Sequence, residues 1–351
     1  MAKNSKRIEI VASAMAGLSS MGPKSRLAIQ AVLMQEYDHV DITIVNNVSD
    51  LVALAARKPD IVFLGMKFIP KNPDLGLSDP DKIWLSEYLE ERGIVCTGSS
   101  YEAVSLEFDK QLAKGCVLNA GLLTPRHLVI KIEDAFQQEE IGLRYPLFIK
   151  PTNLGGGKGV DTDSLVHTFQ ELTQKVAKLR HDFKTDALVE EYLPGPEFSV
   201  GILKDPLKNE YSALPIELIA PLNVKGARFL SHQIKQADTE RYTGVSDIIF
   251  KHRLNAFALD VFLALGARDY GRIDIRLDSL GRPHFLEANL LPSLAEGYGN
   301  FPKTCLLNAG MRYDAVILNI VNLAILRQAP VYNMTDELPV LSSPQIILAS
   351  A

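Results

Sequence analysis

Two short runs, RIDIRLD at 272–278 and PHFLEAN at 283–289, constrain this chain more than any other stretch. Side chains alternate with period two, so Arg272 and Asp274 share one face while Ile273, Ile275 and Leu277 share the other. The turn Ser279-Leu280-Gly281-Arg282 predicts an antiparallel hairpin, with Leu286 and Ala288 on the apolar face and Glu287 and Asn289 on the polar one. In the simplest register, without a bulge, Asp274 stands opposite Glu287 and Arg272 opposite Asn289. Two carboxylates placed this way repel unless a cation lies between them. Acid and amide oxygens together suit a hard ion such as Mg²⁺. An arginine beside that ion points to phosphoryl chemistry. The alternative is an exposed hairpin with solvated charges.

Upstream, RIEIVASAM (7–15) and DITIVN (41–46) read as strands around a helix from Lys24 to Tyr37. A helix at 50–57, the buried strand DIVFLG, a helical IWLSEYLEERG and the strand IVCTG continue the alternation. Such alternation implies a parallel sheet covered by helices on both faces. Residues 67–81, rich in Pro, Asp, Lys and Gly, read as a long loop at a strand's carboxyl end, a candidate substrate wall. A helix at 108–120, the strands HLVIK and YPLFIKP, a helix at 164–180 and ALVEEYL follow. FSVGIL, SALPIEL, a helix in KHRLNAFALDVFLALG and the hairpin complete the pattern.

With 351 residues, 47% of them hydrophobic, the chain can build a large core over two or three domains. Its net charge is −5 and its basic residues are dispersed, which argues against a nucleic-acid partner. Its apolar runs fall short of the roughly 18 residues a membrane helix needs, so no membrane partner is expected. The amino terminus reads as a strand running into a loop, the pattern of a mature cytoplasmic protein. Cys96, Cys116 and Cys305 have neither disulfide-framework nor zinc spacing and read as buried thiols.

Directly after YPLFIKP comes GGGKGV, in which Gly155, Gly156, Gly157 and Gly159 surround Lys158. Backbone N–H groups without side chains approach phosphate oxygens closely. Gly159 stands where a Walker A loop needs Ser or Thr, and the dinucleotide spacing also fails, so a flexible surface turn stays open as an alternative. Lys150 ends an otherwise apolar strand, where an ammonium calls for an anionic partner. In VEEYLPGPEFSVGIL, residues 189–193 can offer a strand edge to a purine, and Glu197 is placed for a ribose hydroxyl.

These motifs in this order resemble the ATP-grasp superfamily, and within it the D-alanine–D-alanine ligase-like branch. VEEYLPGPEFSVGIL and GRIDIRLDSLGRPHFLEANLLPSL carry the resemblance most strongly; TGSS, FDKQLAKG and PLFIKPTNLGGGKGV support it in the right order. It implies an α/β chain with α+β ATP-grasp units: an amino-terminal parallel-sheet domain over 1–107, a central subdomain with a glycine-rich lid over 108–203, a carboxy-terminal subdomain with the metal site over 204–330, and a tail at 331–351. By the resemblance, Lys110 and Lys150 clamp the ATP phosphates, Lys235 is a third basic contact, and Gly155–Gly159 form the lid. Glu190, Glu191 and Leu193 line the adenine, Glu197 meets the ribose, and Asp274, Glu287 and Asn289 bind two Mg²⁺ ions, with Mn²⁺ as a substitute. Arg272 stabilises the transferring phosphoryl group. The implied reaction converts a carboxylate into an acyl phosphate, which an amine then displaces to leave an amide. Amino acids are the expected substrates and a homodimer the expected assembly.

The chain departs from the D-alanine ligases at both amino-acid subsites. Gly156 and Gly157 replace loop serines, Gln236 replaces a tyrosine, residues 14–22 hold no acid, and the serine expected for the second substrate's carboxylate is replaced near Tyr298. Lys67, Lys71 and Arg228 are candidates for an anionic substrate, Tyr242 and Tyr298 for a larger one. The functional expectation is therefore an ATP-dependent carboxylate–amine ligase with altered subsites. Its alternatives are a ligase acting on a specialised metabolite or a different dipeptide, a carboxylase component, and a nucleotide-binding scaffold without catalysis.

Overall fold

The computed structural model describes residues 3–15, 17–237 and 239–328; the tail at 331–351 and the side chain of Gln236 lie outside the described residues. The chain opens with β1 (Asn4–Ala12), α1 (Pro23–Glu36), β2 (Tyr37–Ile44), α2 (Val48–Ala56) and β3 (Ile61–Leu64). Residues expected to form a long loop instead start a small antiparallel pair, β4 (Phe68–Pro70) with β5 (Lys82–Trp84), before α3 (Leu85–Glu90) and β6 (Val95–Cys96). Phe68 and Trp84 make that pairing worthwhile, because their rings meet edge to face at 5.2 Å.

Strands β2-β1-β3-β6 form the expected parallel sheet, and its side-chain alternation divides two cores. Ile8, Ile10 and Ala12 bury with Ile29 and Leu33 of α1, whereas Val11 buries with Leu51 and Leu54 of α2. Each such isoleucine, leucine or valine side chain contributes about 1.5–3 kcal/mol on burial.

Helices α4 (Tyr101–Phe108) and α5 (Lys110–Asn119) lead out of this sheet, separated by Asp109, whose side chain caps α5. An antiparallel sheet follows, built from β7 (His127–Ile130), β8 (Leu147–Pro151), β9 (Leu165–Val166) and β10 (Ala187–Glu191), with α6 (Gln138–Ile141) and α7 (Phe169–Phe183) in the connections. The helix expected from residue 164 begins five residues later, because Leu165 and Val166 pair with β8 and Thr168 supplies the cap.

The last sheet has the order β13-β12-β11-β14-β15, formed by β11 (Glu197–Lys204), β12 (Tyr211–Ile219), β13 (Arg241–Gly244), β14 (Tyr270–Leu277) and β15 (Pro283–Asn289). Helix α8 (His232–Ala237) precedes β13, and α9 (Ile248–Ala264) covers the apolar face through Leu254, Ala258, Val261 and Phe262. Then α10 (Asn300–Ala309) and α11 (Tyr313–Gln328) close the described chain. Val316, Ile317 and Ile320 of α11 return to the first sheet's core. Among the described residues no single helix is long and apolar enough to cross a membrane; α10 and α11 pass such a test only as a pair bent by 104°. Phe301, Pro302 and Cys305 of α10 and Val316, Ile317, Ile320, Val321, Leu323 and Ala324 of α11 are buried in the fold, whereas Leu306, Leu307 and Leu326 are exposed.

The hairpin register is the expected one at the polar end, with Arg272 opposite Asn289 and Asp274 opposite Glu287. A bulge then intervenes, since Ile275 pairs with Phe285 and leaves Leu286 as an extra residue. That corrects the expected apolar face: Phe285, fully buried, replaces Leu286, which lines the cleft beside Glu287.

On β11, Gly201 pairs with Arg272 of β14, and a Cβ there would lie 2.1 Å from Thr304 Oγ1 of α10. Gly201→Ala is expected to destabilise the fold by about 1–3 kcal/mol through overpacking. Thermal unfolding checks this: the midpoint should fall, and Thr304→Ala in the same chain should recover part of the loss.

Candidate active site

The hairpin's polar face forms one wall of a cleft. Arg272 grips Asp274 with two bonds, Nε to Oδ1 at 3.0 Å and Nη2 to Oδ2 at 2.9 Å. Ser199 Oγ donates to Asp274 Oδ1 at 2.7 Å, and Asn289 Nδ2 approaches Oδ2 at 3.3 Å. Across the hairpin, Glu287 lies 3.9 Å from Lys110 Nζ. Burial pushes the Glu287 carboxyl up, but Lys110, Lys150, Lys235 and Arg272 outweigh it and hold the group down at about 2. The two facing carboxylates are thus stabilised by cations drawn from four different elements.

Behind this wall lies a lysine that the sequence reading missed. Lys114, fully buried, places Nζ 2.6 Å from Glu190 Oε1 and donates to Thr124 Oγ1 at 2.8 Å. Lys150 holds the other Glu190 oxygen at 2.9 Å. Burial lowers Lys114 to about 8, while Glu190, although buried, is held at about 2 by the two lysines. For Lys150 burial acts downward, yet Glu190 and Glu287 raise it above the ordinary lysine value. Lys114 follows Lys110 by four residues on one helix, a spacing that puts both on the same face.

Arg276, the next residue on the hairpin's polar face, was also missed, although its period-two spacing from Asp274 was visible in RIDIRLD. Its guanidinium donates to Leu193 O at 2.7 Å, Glu197 Oε2 at 3.0 Å, the Tyr192 hydroxyl at 2.9 Å and Arg228 O at 2.7 Å. One rigid fork therefore holds the whole 192–197 segment. Glu191 turns outward from it, bonded to Arg126 at 3.2 Å.

Two cavities meet at Lys110, Lys158, Lys235, Arg272 and Glu287. The smaller, about 100 Å³, runs along Lys150, Gly157, Glu190, Glu191, Leu193, Glu197 and Asp274. The larger, about 450 Å³, takes in Gly155, Gly156 and Asn289 and extends to the amino-terminal sheet. Only Gly159 of the expected site residues lines neither cavity. A Cβ there would lie 2.6 Å from Pro151 Cγ, and its carbonyl accepts from buried Lys175 at 2.9 Å, so it seats the loop on β8 and α7. The loop also docks on His232, whose N–H donates to Val160 O at 3.2 Å and whose Nδ1 lies 3.3 Å from Gly156 O.

Of the other substrate candidates, Lys67 lines the larger cavity, whereas Lys71 and Arg228 line neither. Tyr298 lines it too, with its hydroxyl donating to Lys235 O at 2.6 Å. Tyr242 does not; its hydroxyl donates to Glu240 at 2.7 Å.

Among the described residues no three His, Cys, Asp or Glu side chains cluster as a metal site. The expected set instead consists of two carboxylates and one amide, Asp274, Glu287 and Asn289, opposed across the hairpin. All three present hard oxygen atoms, and both acids already require cations beside them, so the set fits Mg²⁺ in its chemistry.

A family model described as D-ala D-ala ligase C-terminus matches residues 117–322, more than half of the chain. The D-alanine–D-alanine ligase of Nitrosospira multiformis is 31% identical over 246 residues, covering 67% of this chain and 73% of that protein. The protein y4sG of Sinorhizobium fredii, described as uncharacterized, is 29% identical over 244 residues, 67% of this chain and 68% of its own length. In fold, a crystal structure of the Bacillus anthracis D-alanine–D-alanine ligase complexed with ATP aligns with a TM-score of 0.69 at 19% identity, covering 92% of this chain and 99% of that one. The chain belongs to the D-alanine–D-alanine ligase family and is an ATP-grasp carboxylate–amine ligase.

Proposed function

We propose that the chain uses ATP to activate the carboxylate of one amino acid and joins it to the amine of a second substrate. The observation that carries this reading is the meeting of two cavities at Lys110, Lys235, Arg272 and Glu287. The smaller would take the nucleotide and the larger the acid, so the γ-phosphate and the carboxylate come together among cations.

In the first step a carboxylate oxygen bonds to the γ-phosphorus and the bond to the leaving ADP oxygen breaks. In the second, the neutral amine bonds to the acyl carbon, the bond to phosphate breaks, and the proton the nitrogen sheds passes to the departing phosphate. Neither step needs a protein nucleophile; positioning and charge neutralisation suffice. Lys110, Lys150 and Lys235 would neutralise phosphate oxygens, and Arg272 the charge that develops during transfer. Asp274, Glu287 and the Asn289 amide oxygen would hold Mg²⁺, which when bound adds positive charge at the same phosphates. Glu190 and Glu191 flank the adenine segment with Leu193, and Glu197 remains our assignment for the ribose. The glycine loop would close over the acyl phosphate and exclude water. The cleft of about 100 Å³ opens into the larger cavity of about 450 Å³, and the nucleotide's phosphates would extend across their junction.

D-Alanine, named for the relatives, is the first substrate to test. Loss of the acid from residues 14–22 and the presence of Tyr298 support altered subsites. The larger cavity's volume and its apolar lining, from Leu18, Met66, Phe68, Leu77 and Phe108, also favour a second reading, a ligase for a bulkier specialised acid.

Phosphate release measured with Mg²⁺, ATP and a panel of paired D- and L-amino acids tests the proposal. It should rise only when a suitable acid and amine are both present, and D-alanine alone giving full activity would remove the altered-specificity reading. Asp274→Asn and Glu287→Gln are each expected to cut turnover about 10²- to 10³-fold while circular dichroism stays unchanged. Glu190→Gln should cost about 3–5 kcal/mol at neutral pH, because it leaves two buried ammonium groups without a counter-charge. The folded value near 2 lies below the ordinary 4.5, so the stability from ionised Glu190 is present above pH 4.5 and lost as pH falls toward 2. Thermal unfolding across pH should therefore show the gap between wild type and Glu190→Gln narrowing in acid; a constant gap would contradict this role.

A further inference from the structure

Leu172, Lys175, Val176 and Leu179 of α7 follow helical spacing and are all buried, on the face turned to the central sheet. A lysine on that face, 2% exposed, stands out, because an aliphatic side chain would fill the place without burying an ammonium. Its Nζ donates to Gly159 O at 2.9 Å and to Asp161 Oδ1 at 2.7 Å, both at the carboxyl foot of the glycine loop. Asp161 also accepts from Lys178 Nζ at 2.8 Å and from Asp163 N at 3.0 Å, and its own N–H donates to Ser164 Oγ at 3.1 Å. Burial pushes the Asp161 carboxyl up, but the two lysines outweigh it and hold the group below its ordinary value. Gly159, at φ +76°, is pressed between Pro151 and Leu179 so closely that it admits no Cβ.

The loop's other foot is fastened differently. Leu154 O accepts from Lys110 Nζ at 2.8 Å, so that foot hangs on a lysine the phosphates would also engage. Between the feet, Gly155 and Gly156 are exposed and Lys158 lines both cavities. A Cβ on Gly17 would stand 2.8 Å from Lys158 Nζ, so the loop lysine already reaches across to the amino-terminal loop. Lys158 adjoins Gly159, and the backbone direction at the fixed foot therefore decides where its ammonium points.

We propose that Lys175 is a positioning residue for phosphoryl transfer: by fixing Gly159 and Asp161 it aims Lys158 at the junction of the two cavities, where the γ-phosphate would lie. The inference rests on the ligase reading above and adds to it a residue that lines neither cavity. One ammonium bound to a carbonyl and a carboxylate on either side of Val160 sets both the place and the direction of the foot. Stability alone does not call for it, since an apolar residue of similar volume often replaces a buried ion pair without loss.

The test titrates the full chain, with Mg²⁺, against ADP and against the non-hydrolysable ATP analogue adenylyl imidodiphosphate. Lys175→Met keeps the apolar face of α7 filled and leaves Asp161 paired with Lys178. Its affinity for the analogue should fall about tenfold while its affinity for ADP changes by less than about threefold, because the loop lysine is aimed at the terminal phosphate. Lys158→Ala should show the same pattern, and combining the two substitutions should cost little beyond either alone. A merely structural role would weaken both probes alike and add to the Lys158→Ala loss. Unchanged analogue affinity in a folded Lys175→Met chain overturns the proposal, as does an equal loss for both probes or full additivity in the double variant; wild-type binding of both probes then leaves the ligase reading standing. Wild type that binds neither probe removes the nucleotide site and the proposal together. Should Lys175→Met not fold, Asp161→Asn, which keeps the bond from Lys175 to Gly159 O, is read in the same way, and failure of both variants to fold makes the pair structural and overturns the proposal.

Discussion

A single buried carboxylate between two buried lysines sets the relation between the sheets that form the cleft. Glu190 leaves β10 to meet Lys150 on β8 and Lys114 on α5. Lys114 reaches on to the carbonyl of Phe285 at 3.3 Å, on the hairpin strand of the other sheet. All three groups are buried, so each is tolerable only while the others stay in place. The arrangement therefore adds little net stability but penalises displacement of either sheet. That is the property a site needs when its cations must be aimed before the nucleotide arrives.

The same logic governs the hairpin. Asp274 and Glu287 face each other at a cost that protein cations offset, Arg272 on one acid and Lys110 near the other. Behind Asp274, Ser199 of the neighbouring strand fixes one oxygen, and Arg276 orders the segment that follows β10. Donors and acceptors are held by backbone ladders here, whereas the glycine loop is held by a few bonds to His232 and by Lys175. The rigid part carries the charges and the loosely held part covers them. Such a division suits a reaction that must admit a nucleotide and then exclude water.

Family membership and substrate choice are separate matters in this chain. The family match over residues 117–322 takes in Lys150, the 190–197 segment and the hairpin face. The amino-terminal side of the larger cavity lies outside that match, with Lys67 and Glu107 among its described lining and Phe68 and Phe108 beside them.

Period-two alternation was enough to read the hairpin's polar face and its register at Arg272 and Asp274, because pleating leaves only two faces for a side chain. The parallel opening sheet was legible for the same reason, through alternating strand and helix periods. Leu286 was misplaced because a bulge is one extra residue that no alternation signals in advance; the ladder to Phe285 decides it. The early start expected for α7 failed where Leu165 and Val166 found a strand partner, an outcome set by a neighbour distant in sequence. Lys114, Glu107 and the return of α11 to the first sheet depended on burial, which belongs to the assembled fold. From sequence alone, local periodicity and the order of motifs determine the fold class and the hairpin's polar face. Which charges lie out of water, and which of them lack a partner, only the tertiary structure decides, because desolvation is a property of surroundings that are far apart along the chain.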